Sequence, residues 1–144
     1  MYANNSYSTI SFYEIPGLVI AGSCVGTYGP SNYIVSPNYP QDYGYDIDCR
    51  WSISSPGIKN ITLNFLDFEI TYGEIINVFE GANIHGNLLN TYSRDDSSPS
   101  LIVSSGSNMY LRFTSDSEIT SRGFKIEVSG KYIYYHKMIS IFLF

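Results

Sequence analysis

The sequence predicts an all-β protein, an antiparallel β-sandwich, and three observations carry that prediction. Short stretches of alternating apolar and polar residues recur between Gly, Pro, Asn and Asp turn signals. No segment holds a helical period for the length a helix needs. Fourteen tyrosines and eight phenylalanines, with aromatic residues at 16%, favour strands over helices. At 144 residues with 44% hydrophobic content the chain makes one domain with a substantial core.

Residues 1–23 read as an N-terminal linker or an incomplete leader. No Lys or Arg precedes Arg50, and the apolar run Leu18–Ala21 is too short for a signal-peptide core. Cys24–Tyr28 is expected to open the domain before a turn at Gly29-Pro30. Pro37 and Pro40 then push Ser36 and Tyr39 toward extended backbone, with turn chemistry from Asn38, Asp42 and Gly44. Over Asp46–Ser54 the residues Ile47, Cys49, Trp51 and Ile53 alternate with polar neighbours, which places Cys49 and Trp51 on a buried strand face.

Asn60–Phe65 sets Ile61, Leu63 and Phe65 on one face, and Leu66, Phe68 and Ile70 continue on the opposite parity. Such a switch predicts a β-bulge or a strand buried on both faces. Strands follow at Glu74–Glu80, Leu88–Tyr92 and Leu101–Val103, then across Met109, Leu111 and Phe113. The last begins at Gly123, with Phe124, Ile126 and Val128 inward and Lys125 and Glu127 outward. Residues 131–144, mostly aromatic and aliphatic and without turn signals, read as a hydrophobic tail after the domain: an extra strand pair, the start of a membrane span or, the favoured reading, translated non-coding sequence that is not native structure. No stretch is long enough to span a membrane, so the domain itself does not insert in one.

A formal charge of −5 and a pI near 4.8 exclude nucleic acid as a partner, because phosphate binding needs a basic footprint. Calcium or a basic partner suits that balance better. Cys24 and Cys49 are either a disulfide or two buried thiols; a bridge would be worth roughly 3 kcal/mol in the chain-entropy model. Gly22-Ser23-Cys24-Val25-Gly26 has the spacing of a thiol nucleophile elbow, which requires a following helix and a histidine in reach. Thr27-Tyr28-Gly29-Pro30 cannot start that helix, and the two histidines are His85 in a loop and His136 in the tail. The chain is therefore not expected to be an enzyme, and zinc-ligand spacing is absent as well. Glu69, Glu74 and Asp116 lie at loops, where by themselves they read as solvated acids. Tyr43, Tyr45 and Tyr72 are candidate stacking platforms for a ligand, against the plainer reading of tyrosines that fill the sandwich ends. Sequons stand at Asn4-Asn5-Ser6 and Asn60-Ile61-Thr62, the second a candidate glycosylation site at Asn60.

Several segments together resemble the CUB domain. Tyr33-Ile34-Val35-Ser36-Pro37-Asn38-Tyr39-Pro40-Gln41-Asp42-Tyr43 follows Cys24 and precedes Cys49-Arg50-Trp51, in the order of that family's cysteine, SPNYP and C-x-W pieces. Phe65-Leu66-Asp67-Phe68 resembles its F-x-x-F strand, and Ile76-Asn77-Val78-Phe79-Glu80-Gly81 its L-x-I-x-D-G strand and turn. Met109 to Asp116 with Gly123-Phe124 resembles the closing L-x-F-x-S-D and G-F signature. The resemblance covers residues 24–130.

It implies a jelly-roll-like sandwich that serves as an extracellular or secreted, non-catalytic protein-interaction module, a piece of a larger secreted or membrane-anchored protein. Alternatives within the family are a carbohydrate-binding adhesion module and the regulatory domain of an extracellular protease. The resemblance also pairs Cys24 with Cys49 and sets the chain in an oxidising compartment. The family's second disulfide has no counterpart here, and the loop between Phe68 and Glu74 is short. Of the three carboxylates that hold calcium in binding members, the first Asp position holds Glu74, Asp116 matches the second, and the Glu position holds Thr71. No cofactor is certain: the resemblance implies a degraded calcium site. It also implies a protein partner whose basic residue docks on the acidic loops, with a glycan as the alternative ligand.

Overall fold

The computed structural model describes residues 17–22, 24, 33–96 and 99–132. It consists of nine strands in two antiparallel sheets and, among the described residues, no helix. The strands are β1 (Val19–Gly22), β2 (Tyr33–Val35), β3 (Asp48–Ser54), β4 (Ile58–Glu69), β5 (Ile75–Glu80), β6 (Leu88–Tyr92), β7 (Ile102–Val103), β8 (Asn108–Thr114) and β9 (Gly123–Tyr132). One sheet has the order β1-β3-β8-β5-β6 and the other β2-β9-β4-β7. The all-β sandwich expected from the alternation is the observed fold.

Period-two patterning explains the core. Cys49, Trp51 and Ile53 of β3 are fully or almost fully buried, as are Met109, Leu111 and Phe113 of β8 and Phe124, Ile126 and Val128 of β9. Ring edges meet ring faces across the sandwich, with Trp51 5.9 Å and Phe113 5.2 Å from Phe124. Each fully buried side chain of this size contributes about 1.5–3 kcal/mol by leaving water. The parity switch in β4 is a bulge: Phe65 pairs with Ile126 and Asp67 with Lys125, and the skipped Leu66 is 49% exposed.

Three elements depart from the sequence expectation. Val19–Gly22, assigned to a leader or linker, pairs with β3 from Val19↔Ser54 to Gly22↔Trp51. Tyr33–Val35, where no strand was expected, pairs with β9. Cys24 sits in a bend, and the rest of the strand expected at 24–28 lies outside the described residues. The final strand runs two residues beyond the expected limit, with Lys131 opposite Asn60 and Tyr132 opposite Ile58. Residues 133–144 and the sequon at Asn4 also lie outside the described residues.

Ser36 fastens β2 to β9. Its amide donates to the Phe124 carbonyl at 3.1 Å, and its Oγ accepts from the Phe124 amide at 3.0 Å and donates to the Arg122 carbonyl at 3.2 Å. Gly123 lies beneath that hydroxyl with φ +85°, where a Cβ would collide with Ser36. The serine of the SPNYP segment and the glycine of the G-F pair are thus two halves of one contact.

Candidate functional site

Three loops converge at one end of the sandwich: 43–47 before β3, 71–74 before β5, and 115–121 between β8 and β9. Backbone and hydroxyl groups lace them together. The Ile47 amide donates to Ser115 Oγ at 3.0 Å, and the Ser115 amide returns a bond to the Ile47 carbonyl at 2.9 Å. The Tyr43 amide donates to the Ser121 carbonyl at 3.1 Å, and the Asp46 amide to the Asp116 carbonyl at 2.9 Å.

Glu74 lies beneath this end, only 1% exposed. Its Oε2 accepts the Tyr43 hydroxyl and, at 2.5 Å, the Thr71 amide. Burial first, and then the hydrogen bond that the hydroxyl donates to the Glu74 carboxylate, push the Tyr43 hydroxyl far above the ordinary tyrosine range. Glu74 Oε1 is buried without a hydrogen-bond partner, a costly state for a carboxylate oxygen. Asp116 is half-buried above it. Its Oδ1 accepts the Glu118 amide at 3.0 Å, and its Oδ2 lies against Gly73, where a Cβ would collide with it. The structure places Glu74 and Asp116 in one loop cluster. Thr71 joins them through its backbone, while its hydroxyl donates to the Ile119 carbonyl at 2.9 Å.

The unpartnered Glu74 oxygen is an acceptor that a cation would take, but the donor set does not fill a calcium shell. Calcium takes six to eight oxygens. Of the three ligand positions that the resemblance implies, two are carboxylates here, Glu74 and Asp116, each with one oxygen already engaged by protein donors. Among the described residues no group of three or more His, Cys, Asp or Glu is placed to hold a metal. Glu69 does not complete the set. It takes Ser121 Oγ at 2.5 Å and the Arg122 guanidinium at 3.1 Å, while Asp67 holds the same arginine and the Tyr39 hydroxyl.

The three tyrosines separate. Tyr43 is fully buried against Phe113 at 5.2 Å, so it offers no surface to a ligand; its ring fills the sandwich end and its hydroxyl serves Glu74. Tyr45 and Tyr72 are 60% and 67% exposed, and Arg94 covers one face of Tyr72 at 3.8 Å. Asn60 stands half-buried within β4, at a register shift opposite Lys131, with its neighbour Ile61 turned into the core. Cys24 and Cys49 form a disulfide with Cα atoms 5.0 Å apart. A nucleophilic Cys24 thiol is thereby ruled out in the oxidised chain.

One charged cluster had no place in the sequence expectation. Arg50 and Arg112 both grip Asp48 on the outer face of the five-stranded sheet, at 2.7–3.1 Å. The outward parity of Asp48 and Arg50 was visible in the alternation of β3; Arg112 required the register of β8.

The described residues thus form a disulfide-linked sandwich of two antiparallel sheets with an acidic loop end. The chain belongs to the CUB family: the model of the CUB domain matches residues 24–128. It is 35% identical over 124 residues to cubilin of Sus scrofa, a match that covers 81% of this chain and 3% of cubilin. The chain thus spans a small fraction of the curated relatives it matches. Among solved structures, the CUB1-EGF-CUB2 region of human MASP-1/3 superimposes with a TM-score of 0.60 at 26% identity, covering 68% of this chain and 40% of that one. The MASP-1 CUB2 domain bound to Ca2+ matches with a TM-score of 0.56 at 22% identity, covering 67% and 89%, and shows the same fold. Among the described residues no helix is long and apolar enough to cross a membrane.

Proposed function

We propose that the chain is a non-catalytic, extracellular protein-interaction module whose loop end receives a basic side chain of its partner without needing calcium. The observation that carries this is the convergence of Asp46, Asp116 and Glu118 on laced loops that contain no Lys or Arg, over the buried Glu74. Carboxylates gathered on one surface steer and orient a cationic group. Asp116 and Glu118 reach solvent, whereas Glu74 is held inside by Tyr43 and Thr71. The Tyr43–Glu74 bond performs the loop-fastening that a bound ion would otherwise supply. Family membership and the disulfide support the extracellular placement.

The test is a pair of titrations on the oxidised full chain. A blocked lysine amide is expected to shift the NMR resonances of Asp116, Glu118 and Tyr45, with the response lost in Asp116→Asn; no response overturns the docking site. Calcium followed by isothermal calorimetry is expected to bind no tighter than about millimolar. A micromolar dissociation constant that disappears in Glu74→Ala and in Asp116→Ala would overturn calcium independence. A second reading, glycan binding, rests on the exposed rings of Tyr45 and Tyr72. A glycan array on the wild type and on Tyr45→Ala tests it.

A further inference from the structure

The outer face of the five-stranded sheet is arranged in rows set by the strand register. One row crosses all five strands: Ala21, Ser52, Tyr110, Phe79 and Leu88 are successive register neighbours. Outward positions of a sandwich strand are ordinarily polar, yet Ser52 alone here lacks an apolar body. Phe79 leans against Tyr110 with ring centroids 6.2 Å apart, and Leu88 is 55% exposed. The adjacent row holds Arg50, Arg112, Asn77 and Thr91.

Asp48 takes the Nε and Nη2 edge of both guanidiniums, which fixes them side by side while leaving 45% of the Arg50 side chain and 34% of Arg112 accessible. Two cations against one carboxylate give these rows a positive balance, on a chain whose formal charge is −5. Beside Arg50 lies a shallow hollow of about 300 Å³ lined by Ala21, Gly22, Arg50, Ser52 and Tyr110. Oriented arginines next to a tyrosine, in a concave patch with an apolar margin, have the composition of an interface hot spot.

We propose that this face is a second docking surface, whose occupant is an acidic side chain of a protein partner: the carboxylate on Arg50 and Arg112, and the apolar residue beside it in the hollow that Ala21, Gly22 and Tyr110 line. Charge complementarity fixes the sign of the partner. A lysine presented to the loop end would be repelled from this face, so the two surfaces select different segments. The rows share no residue with the loop end, and the inference stands without the reading given for that end.

The experiment uses the isotopically labelled, oxidised full chain and the blocked dipeptide acetyl-Glu-Leu-amide. Saturable shifts are expected at the Arg50 and Arg112 Nε–H groups and at the amides of Ala21 and Tyr110. Acetyl-Gln-Leu-amide should give a response at least about fivefold smaller, since only the carboxylate is exchanged. Arg112→Gln should weaken the dipeptide by about fivefold, and acetyl-Glu-Gly-amide should bind the wild type about fivefold more weakly than acetyl-Glu-Leu-amide; Arg112, whose side chain is 34% accessible, can be changed without threat to folding. Absence of a saturable shift up to about 20 mM dipeptide overturns the proposal. So does an equal response to the glutamine dipeptide. If inorganic phosphate reproduces the shifts and acetyl-Glu-Gly-amide binds as well as acetyl-Glu-Leu-amide, the arginines bind small anions only, and the docking surface is refuted.

Discussion

Substituting Gly123 by alanine separates what a backbone conformation costs from what a crowded contact costs. Gly57 and Gly123 have almost the same φ, +83° and +85°. A Cβ at Gly57 would meet nothing within 4 Å, whereas one at Gly123 would overlap Ser36 Oγ and lie 2.6 Å from Ser36 Cβ and 3.0 Å from Tyr43 Cδ1. Both alanines therefore carry the left-handed penalty of about 1–2 kcal/mol. Gly123→Ala alone adds overpacking, about 1–3 kcal/mol. Displacing Ser36 Oγ from the Phe124 amide adds about 1 kcal/mol more. The expected losses are about 1–2 kcal/mol for Gly57→Ala and about 3–6 kcal/mol for Gly123→Ala, the latter a large share of a domain's usual 5–15 kcal/mol. Urea unfolding of the oxidised chain, followed by fluorescence of the buried Trp51, measures both. Equal losses, within about 0.5 kcal/mol, would refute the reasoning, because they would show that Ser36 gives way freely.

Tyr43→Phe removes the hydroxyl from Glu74 and leaves that buried carboxylate to the Thr71 amide, which should cost about 2–3 kcal/mol in the same unfolding assay. In the wild type an alkaline ultraviolet titration should show Tyr43 staying un-ionised until the protein unfolds, since its folded pKa is raised. The Arg50 and Arg112 guanidiniums hold the Asp48 carboxyl well below the usual aspartate range, and the Arg122 guanidinium lowers Asp67. With folded pKa values depressed, the unfolded chain binds more protons in acid. The contribution is complete above about pH 5 and is lost as the pH falls through and below about 4. Urea midpoints across that range should fall in the wild type and fall less in Asp67→Asn. Replacing both Cys24 and Cys49 by alanine should cost about 3 kcal/mol and lower the melting temperature by about 6–12 °C.

Sheet membership was legible wherever a strand was long enough to display its period. The bulge at Leu66 showed itself as a change of parity, and the inward set of β3, β8 and β9 followed from alternation. β2 did not, because three residues are too few to show a period, and the prolines after it speak more loudly. β1 escaped for a different reason: it is an exposed edge strand, so burial left no alternation in Val19–Gly22. At the loop end, the family pattern located Glu74 and Asp116. That Tyr43 would be the donor to Glu74 depends on how deeply its ring enters the sandwich, which no spacing encodes. The Asp48 cluster was half visible, since Asp48 and Arg50 share a parity two residues apart. Arg112 joins them only through the pairing Arg50↔Arg112.

The two ends of the described chain enter different sheets. β1 lies at the edge of the five-stranded sheet, and β9 lies between β2 and β4 in the other. Tension applied along the polypeptide from outside would first peel β1 from β3, strand end by strand end, and then meet the covalent link from Cys24 to Cys49. From there the load passes to the middle of its sheet, because β3 is paired with β8 along its full length. The opposite pull arrives through β9, so the load is shared between the covalent turn from β3 into β4 and the packed rings of Trp51, Phe113 and Phe124 that join the two sheets. Under stretch, the domain behaves as a shear joint whose adhesive is its core.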